Sequence, residues 1–470
     1  MVNSPAFQIR NATLSLNSPN KPRIVRVRKN DVPGIPDREP SIRSEASPPV
    51  ALAHDSLGWS LLLAARVLAK VRAGTSLTEA LKLLEKESSS ARAAAQDVAY
   101  GVLRQYGRGE FILGKLMSKA LTHQETYELL LGALYRLETR PESKPMVVDQ
   151  AVAASGEMAG GVFKGLVNGV LRNYLRQRTA LIKAMSENDV ALSQHPGWWL
   201  SKLRRAYPAS WQSIVDADNS PPPMTLRVNS RRCALEDYLD RLASVGMSAR
   251  PIGGQGLILE RPVGVDALPG FFDGLVSVQD AGAQRAAELL APQAGERVLD
   301  ACAAPGGKTA HLLESVESLN LLALDIDAMR TRRIEENLKR LGLSATIKVG
   351  DCAKTSSWWD GCLFDAILAD VPCSASGVVR RHPDIKVLRR ESDIRRLVHT
   401  QADILDALWP LLKPGGKLLY ATCSVFPEEN AAQIDAFLVR QSGVERVRQE
   451  QLVPSGDNDG FYYALLKKTA

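Results

Sequence analysis

From about Leu57 to Leu181 the apolar positions recur at helical spacing: Leu61, Ala64, Ala65 and Leu68, then Val98, Val102 and Leu103, then Leu130, Leu134 and Leu137. Alternating patterns are nearly absent there, so the spacing predicts an all-helical domain of five or more helices over 55–188, broken near Gly74, Gly107 and Pro141 to Pro145. Residues 189–275 change character. An aromatic-rich helix at Trp198 to Tyr207 and the break at Pro221-Pro222-Pro223 precede short strands such as Met224 to Val228 and Gly256 to Leu259, which predicts a small α+β unit. From Val276 to the C-terminus, apolar runs ending in Asp or Gly alternate with amphipathic helices: Val298 to Asp300, Leu321 to Asp325, Ala345 to Val349, Phe364 to Asp370 and Lys417 to Thr422. That alternation predicts an α/β domain with a doubly wound, Rossmann-like parallel sheet over 276–470.

Residues 1–50 have no sustained periodicity. They hold eight prolines and eight Lys or Arg against four Asp or Glu, and so supply +4 of the chain's formal charge of +7. The reading for 1–54 is a disordered tail, and the folded part is only mildly basic. The six cysteines form no C-x-x-C pair, which argues against a disulfide scaffold or a zinc site and for a reducing cytoplasm. No apolar run reaches the length of a membrane span. A cytoplasmic monomer that uses neither metal nor membrane is the expectation.

Candidate chemistry gathers at the strand ends of the last domain. The first strand runs into Asp300-Ala-Cys302-Ala303-Ala304-Pro305-Gly306-Gly307-Lys308 and then a helix starting near Thr309. Small residues let that backbone pass close to a ligand, and the helix N-terminus offers free amide donors. Neither the nicotinamide fingerprint G-x-G-x-x-G nor the phosphate-loop spacing G-x-x-x-x-G-K is present, so a nicotinamide dehydrogenase is excluded. Asp325, about 20 residues beyond the glycines, is placed to accept from a ribose diol, and Asp351 to meet an adenine. Three strand-end acids around one small-residue loop suit a nucleoside cofactor without a pyrophosphate.

The fourth strand delivers Asp370-Val-Pro-Cys373-Ser and the fifth Tyr420-Ala-Thr-Cys423-Ser. A single strand-end cysteine is ordinarily a small buried hydrophobe. Two flanking one crevice, one of them after Asp-x-Pro, fit covalent catalysis better. Carbon 5 of cytosine is too weak a nucleophile to take a methyl from a sulfonium unaided, and a thiolate adding to carbon 6 makes it enamine-like. Lys308 is placed to favour the thiolate, and Asp370 to hold the base. The following segment carries Arg380, Arg381, His382 and Lys386 and is read as a clamp on phosphates of the target strand.

These motifs resemble the RNA 5-methylcytosine methyltransferases of the Nol/Nop/Sun family, from about residue 55 to the C-terminus. The resemblance implies that the loop Cys302 to Lys308, with Asp325, Asp351 and Asp370, binds S-adenosyl-L-methionine. It also implies that Cys423, in the Thr-Cys motif, is the nucleophile and Cys373 assists product release. Tyr100-Gly-Val-Leu-Arg104, Val148-Asp-Gln-Ala-Val152 and Gly165-Leu-Val-Asn-Gly-Val-Leu-Arg172 look like a NusB-like RNA-binding domain carried by a subgroup acting on small-subunit rRNA, so 16S rRNA is the implied partner. Asp459-Gly-Phe-Tyr-Tyr-Ala-Leu resembles the family's closing strand. Two rivals remain: a DNA-type cytosine methyltransferase, in which Cys373 would attack, and an RNA-binding assembly factor with a passive methyltransferase fold. The Thr-Cys motif opposes the first and the complete cofactor loop the second.

Overall fold

The computed structural model describes residues 52–469. The Pro-rich tail expected over 1–54 lies outside them except for its last three positions, where Leu52 already packs on the helical core.

Helices α1 (Leu57–Arg72), α2 (Ser89–Arg104), α3 (Tyr106–Leu116), α4 (Gln124–Thr139), α5 (Lys144–Gly156) and α6 (Lys164–Met185) build the first part of the chain. Their starts follow local chemistry. The Ser56 hydroxyl accepts from the Trp59 amide and the Ser88 hydroxyl from that of Ala91, satisfying amides that the first turn leaves free. Pro145 sits in the first turn of α5, where its missing N–H costs nothing. Every position of the helical pattern named above, from Leu61 to Leu137, is buried in one core. Each large side chain there contributes roughly 1.5–3 kcal/mol of apolar burial.

Helices α7 (Gly197–Ala206) and α8 (Trp211–Asn219) follow. They bury Trp199, Leu200, Leu203, Ile214 and Val215 against Val379, Ile394, Val425 and Phe426 of the last domain. Aromatic bulk on one face of α7 meets the Phe426 ring, 5.1 Å from that of Trp199 between centroids.

The small unit is an antiparallel sheet of β1 (Met224–Val228), β2 (Ala249–Gly253), β3 (Gly256–Leu259) and β4 (Val276–Val278) in the order β2-β3-β1-β4, with α9 (Leu235–Ser244) packed on its core. β4 pairs with β1 through Leu226 opposite Val278, so the expected boundary at 275/276 cuts one strand too early. A three-residue strand carries too little pattern to be assigned to one sheet or the other.

The last domain holds α10 (Ala281–Leu290), β5 (Arg297–Ala301), α11 (Gly307–Ser315), β6 (Asn320–Asp325), α12 (Ala328–Leu341), β7 (Thr346–Val349), β8 (Phe364–Asp370), α13 (Glu391–Leu408), β9 (Leu412–Thr422), α14 (Ala431–Arg440), β10 (Val444–Leu452) and β11 (Phe461–Lys468). The sheet order is β10-β11-β9-β8-β5-β6-β7. β5 to β9 are parallel as expected, whereas β11 joins β9 antiparallel and β10 joins β11 antiparallel, making the sheet mixed. Strand order reverses between β5 and β8, with β6 and β7 on one side and β9 on the other. Such a reversal opens a crevice at the carboxyl ends of the strands, where ligands bind.

Candidate active site

The loop after β5 begins with Cys302 at φ +64° and turns back at Gly306, φ +94°, where a Cβ would stand 3.1–3.2 Å from Ile334. Only glycine meets both conditions. The turn is closed by the Gly306 amide donating to the Ala303 carbonyl at 2.7 Å, and the Ala303 amide donates to Leu324 O at 2.9 Å. Ala303 and Ala304 are buried and Pro305 exposed, so the loop presents its backbone while its methyls pack inward. Beneath it, the Thr309 hydroxyl donates to Asp300 at 2.6 Å, and burial pushes the Asp300 carboxyl up to about 7.

On the β6–β7 side lies a cleft of about 370 Å³, a size suited to a nucleoside ligand. Cys302, Asp325, Ile326, Asp351, Cys352 and Pro372 are among its lining residues. Asp325 is buried and oriented by amides, from Ala304 at 3.0 Å and Asp327 at 3.1 Å. Asp351 accepts from the Ala353 amide at 3.0 Å. Ile326 is 66% exposed beside them, an apolar face left open next to carboxylates. Cys302 and Cys352 stand 3.6 Å apart, sulfur to sulfur. Their mutual hydrogen bond raises the Cys302 thiol, which burial raises further, and lowers that of Cys352 against the opposing effect of burial. Cys352 is a member of the site that the sequence reading passed over.

On the β8–β9 side, Cys373 and Cys423 come together with their sulfurs 3.5 Å apart. The loops carrying them are tied by the Gly377 amide, which donates to Cys423 O at 2.9 Å, and by the Val371 amide, which donates to Ala421 O at 3.1 Å. The hydrogen bond to Cys423, and then burial, hold the Cys373 thiol well above its ordinary range, so it is protonated. Lys308 reaches across from α11 and pairs with Asp370 at 2.6 Å. Burial alone would lower the Lys308 ammonium, but Asp370 and nearby Cys423 more than offset it, and it stays a cation. Pro372, adjoining Cys373, also lines the cleft, so the two sides are contiguous.

The expected phosphate clamp does not hold in the form given above. Arg380 is buried, paired with Asp459 and donating to Ser455 O at 2.7 Å. Lys386 is buried and donates to Asn219 Oδ1 at 2.7 Å and Arg104 O at 3.2 Å, with its ammonium pushed down to about 7 by burial. Arg381, with a side chain 25% exposed, is engaged by Asp459 and Asp280. Only His382 of the four is exposed. These charges hold the Pro-Cys loop to α2, α8 and the C-terminal segment, because an isolated buried cation would cost several kcal/mol without such partners. Buried Arg227 of β1, also passed over, is ion-paired with Glu314 at 2.8 Å and donates to Gly307 O at 3.1 Å, anchoring the small sheet to the loop after β5.

Among the described residues, no group of three or more His, Cys, Asp and Glu is placed to hold a metal, and no helix is long and apolar enough to cross a membrane.

Comparison with known proteins agrees with this architecture. Residues 287–467 match the family described as 16S rRNA methyltransferase RsmB/F, residues 195–266 its ferredoxin-like domain and residues 60–176 the NusB family. The ribosomal RNA small subunit methyltransferase B of Salmonella arizonae is 44% identical over 85% of this chain and 96% of its own length. That of Cronobacter sakazakii is 44% identical over 88% of this chain and 99% of its own. Among solved structures, PH0851 superposes with a TM-score of 0.74 at 22% identity, covering 87% of this chain and 99% of that one. NSun6 from Pyrococcus horikoshii with SFG gives 0.53 at 20% identity over 58% of this chain and 98% of that one; at these identities both show the fold. With its NusB-like, ferredoxin-like and Rossmann-like domains, the chain belongs to the RsmB/F family of 16S rRNA methyltransferases.

Proposed function

We propose that the protein methylates carbon 5 of a cytosine in 16S rRNA, with Cys423 as covalent nucleophile, Cys373 assisting release and S-adenosylmethionine as methyl source. The observation that carries this reading is the Cys373–Cys423 pair, 3.5 Å apart beside the Lys308–Asp370 ion pair. The cleft fits the cofactor: buried Asp325 suits a ribose diol, Asp351 an adenine edge, and the exposed Ile326 an adenine face. The backbone from Cys302 through Ala303, Ala304, Pro305, Gly306 and Gly307 would border the amino acid end. When bound, S-adenosylmethionine supplies an electrophilic methyl on a sulfonium.

The chain's own groups do the rest. The Cys423 thiolate adds to carbon 6 of the cytosine, pushing electron density to carbon 5, while Lys308 keeps a positive charge within reach of the sulfur. Asp370 accepts from the exocyclic amine and holds the base in place as the adduct forms. After methylation, a water positioned by Cys373 takes the carbon-5 proton, the carbon 6–sulfur bond breaks and the ring double bond returns. The protonated Cys373 faces the departing thiolate and stabilises it by hydrogen bonding. The target base must leave its stack to reach the sulfurs. The exposed His382 is the member of its segment free to meet RNA.

Bisulfite sequencing of 16S rRNA from a deletion strain tests this reading. One cytosine protected in the parent becomes convertible in the mutant, and an unchanged pattern contradicts the proposal.

A further inference from the structure

Each cysteine of the reacting pair is followed by a serine, and neither serine faces solvent: Ser374 and Ser424 are fully buried. Both converge on Glu429, itself fully buried in the short turn Pro427–Glu429 after β9. One carboxylate oxygen accepts from the Ser374 amide at 2.7 Å and the Gln401 side chain at 3.2 Å. The other accepts from the Ser374 hydroxyl at 2.5 Å and the Ser424 hydroxyl at 2.6 Å. Gln401, on α13, also donates to Pro372 O at 3.0 Å, and Ser376 Oγ lies 3.0 Å from both serine hydroxyls. One side chain thus grips the residue after each cysteine and, through Gln401, the residue before Cys373.

Burying a carboxylate costs several kcal/mol unless its lone pairs are filled, and burial raises the Glu429 carboxyl accordingly. An apolar residue would fill the same volume without that cost. What the carboxylate adds is direction: four donors from two loops and one helix fix both loops against a common point. Resting on the cysteine chemistry above, we propose that Glu429 is a positioning residue that holds Ser374 and Ser424, and thereby sets the separation of the Cys373 and Cys423 sulfurs. Glu429 does not touch the base. Its effect falls on the step that needs both sulfurs, release of the methylated base from Cys423, more than on attack, which needs one.

The test uses the full-length protein with an unmethylated 16S rRNA transcript and methyl-labelled S-adenosylmethionine, comparing Glu429→Gln and Glu429→Asp with the parent. For Glu429→Gln, kcat falls on the order of tenfold to a hundredfold, the scale of ångström-level misplacement of reacting groups, while KM for RNA and cofactor stay within about twofold. Labelled protein–RNA complex accumulates on a denaturing gel, and Glu429→Asp recovers part of the turnover. A folded Glu429→Gln protein with parental kcat, or with reduced kcat and no labelled complex, overturns the inference. If thermal melting shows Glu429→Gln unfolded at the assay temperature, Ser374→Ala with Ser424→Ala is read on the same gel. Accumulated complex there supports the clamp, and its absence overturns it. Cys373→Ala run alongside separates the two proposals. No complex with Cys373→Ala contradicts the assignment of the cysteines, whereas a trapped complex there beside parental behaviour of Glu429→Gln overturns the clamp alone.

Discussion

The crevice holds two cysteine pairs that distances alone do not distinguish. Cys302 and Cys352 are 3.6 Å apart, Cys373 and Cys423 3.5 Å, and each pair spans the same 50 positions of sequence. In both, one thiol is raised by its bond to the other. The surroundings differ. The acids Asp351, Asp325 and Asp370 bear on the first pair, whose cysteines line the cleft on the β6–β7 side. The second has the Lys308 ammonium in front and the Glu429 hydrogen-bond cluster behind. Proximity brings sulfurs together, and the proposed attack on a base is assigned to the second pair because the Lys308 cation accompanies it.

The largest effect expected from the frame around the second pair is structural. Arg380→Ala leaves buried Asp459 with Arg381 alone of its two cation partners and removes the donor to Ser455 O, and should cost up to about 3–5 kcal/mol in denaturant unfolding. A surface phosphate contact would cost little there and would instead flatten the salt dependence of RNA affinity. On the cofactor side, Asp325→Ala should weaken S-adenosylmethionine binding by about 1.5–3 kcal/mol, the scale of hydrogen bonds to a charged group. Calorimetry showing parental affinity removes Asp325 from the cleft's function.

Between the pairs, Asp300 supplies a pH test. Its folded carboxyl sits at about 7, above the unfolded value near 3.9, so the folded state holds the proton more tightly. Its contribution is therefore fully present below about pH 4 and is lost as pH rises towards 7, with a slope no steeper than about 1.4 kcal/mol per pH unit. Asp300→Asn should flatten that part of the stability profile relative to the parent, and an unchanged profile places the ionisation elsewhere. The smallest effect belongs to the first pair. Cys352→Ser should leave methylation within about twofold, the scale of substitutions that remove no critical partner. A loss comparable to that of Cys423 would erase the contrast between the pairs.

Much of this was legible in the chain. Helical spacing from Leu61 to Leu137 marked the buried stripe of the first domain, and the strand ends at Asp325, Asp370 and Thr422 appear where the apolar runs stop. Cys373 and Cys423 could be paired in advance because parallel strands deliver their carboxyl ends to one crevice. What escaped was tertiary. Charged residues such as Arg380 and Lys386 read in sequence as a clamp on phosphates, yet their partners Asp459 and Asn219 lie far along the chain, at 79 and 167 positions. Glu429 resembles any acidic residue in a turn after a strand. The signal for it was the repeated Cys-Ser step, whose second residue needs an acceptor once both loops are buried.

The central claim, that Cys423 attacks and Cys373 releases, is tested most directly by a denaturing gel of Cys423→Ala and Cys373→Ala proteins incubated with target RNA and methyl-labelled cofactor. Cys423→Ala should give neither adduct nor methylated RNA, a loss of roughly four orders of magnitude or more, as for other missing nucleophiles. Cys373→Ala should give a labelled protein–RNA complex that survives denaturation. Methylation retained by Cys423→Ala, together with loss of attack in Cys373→Ala, would contradict the account.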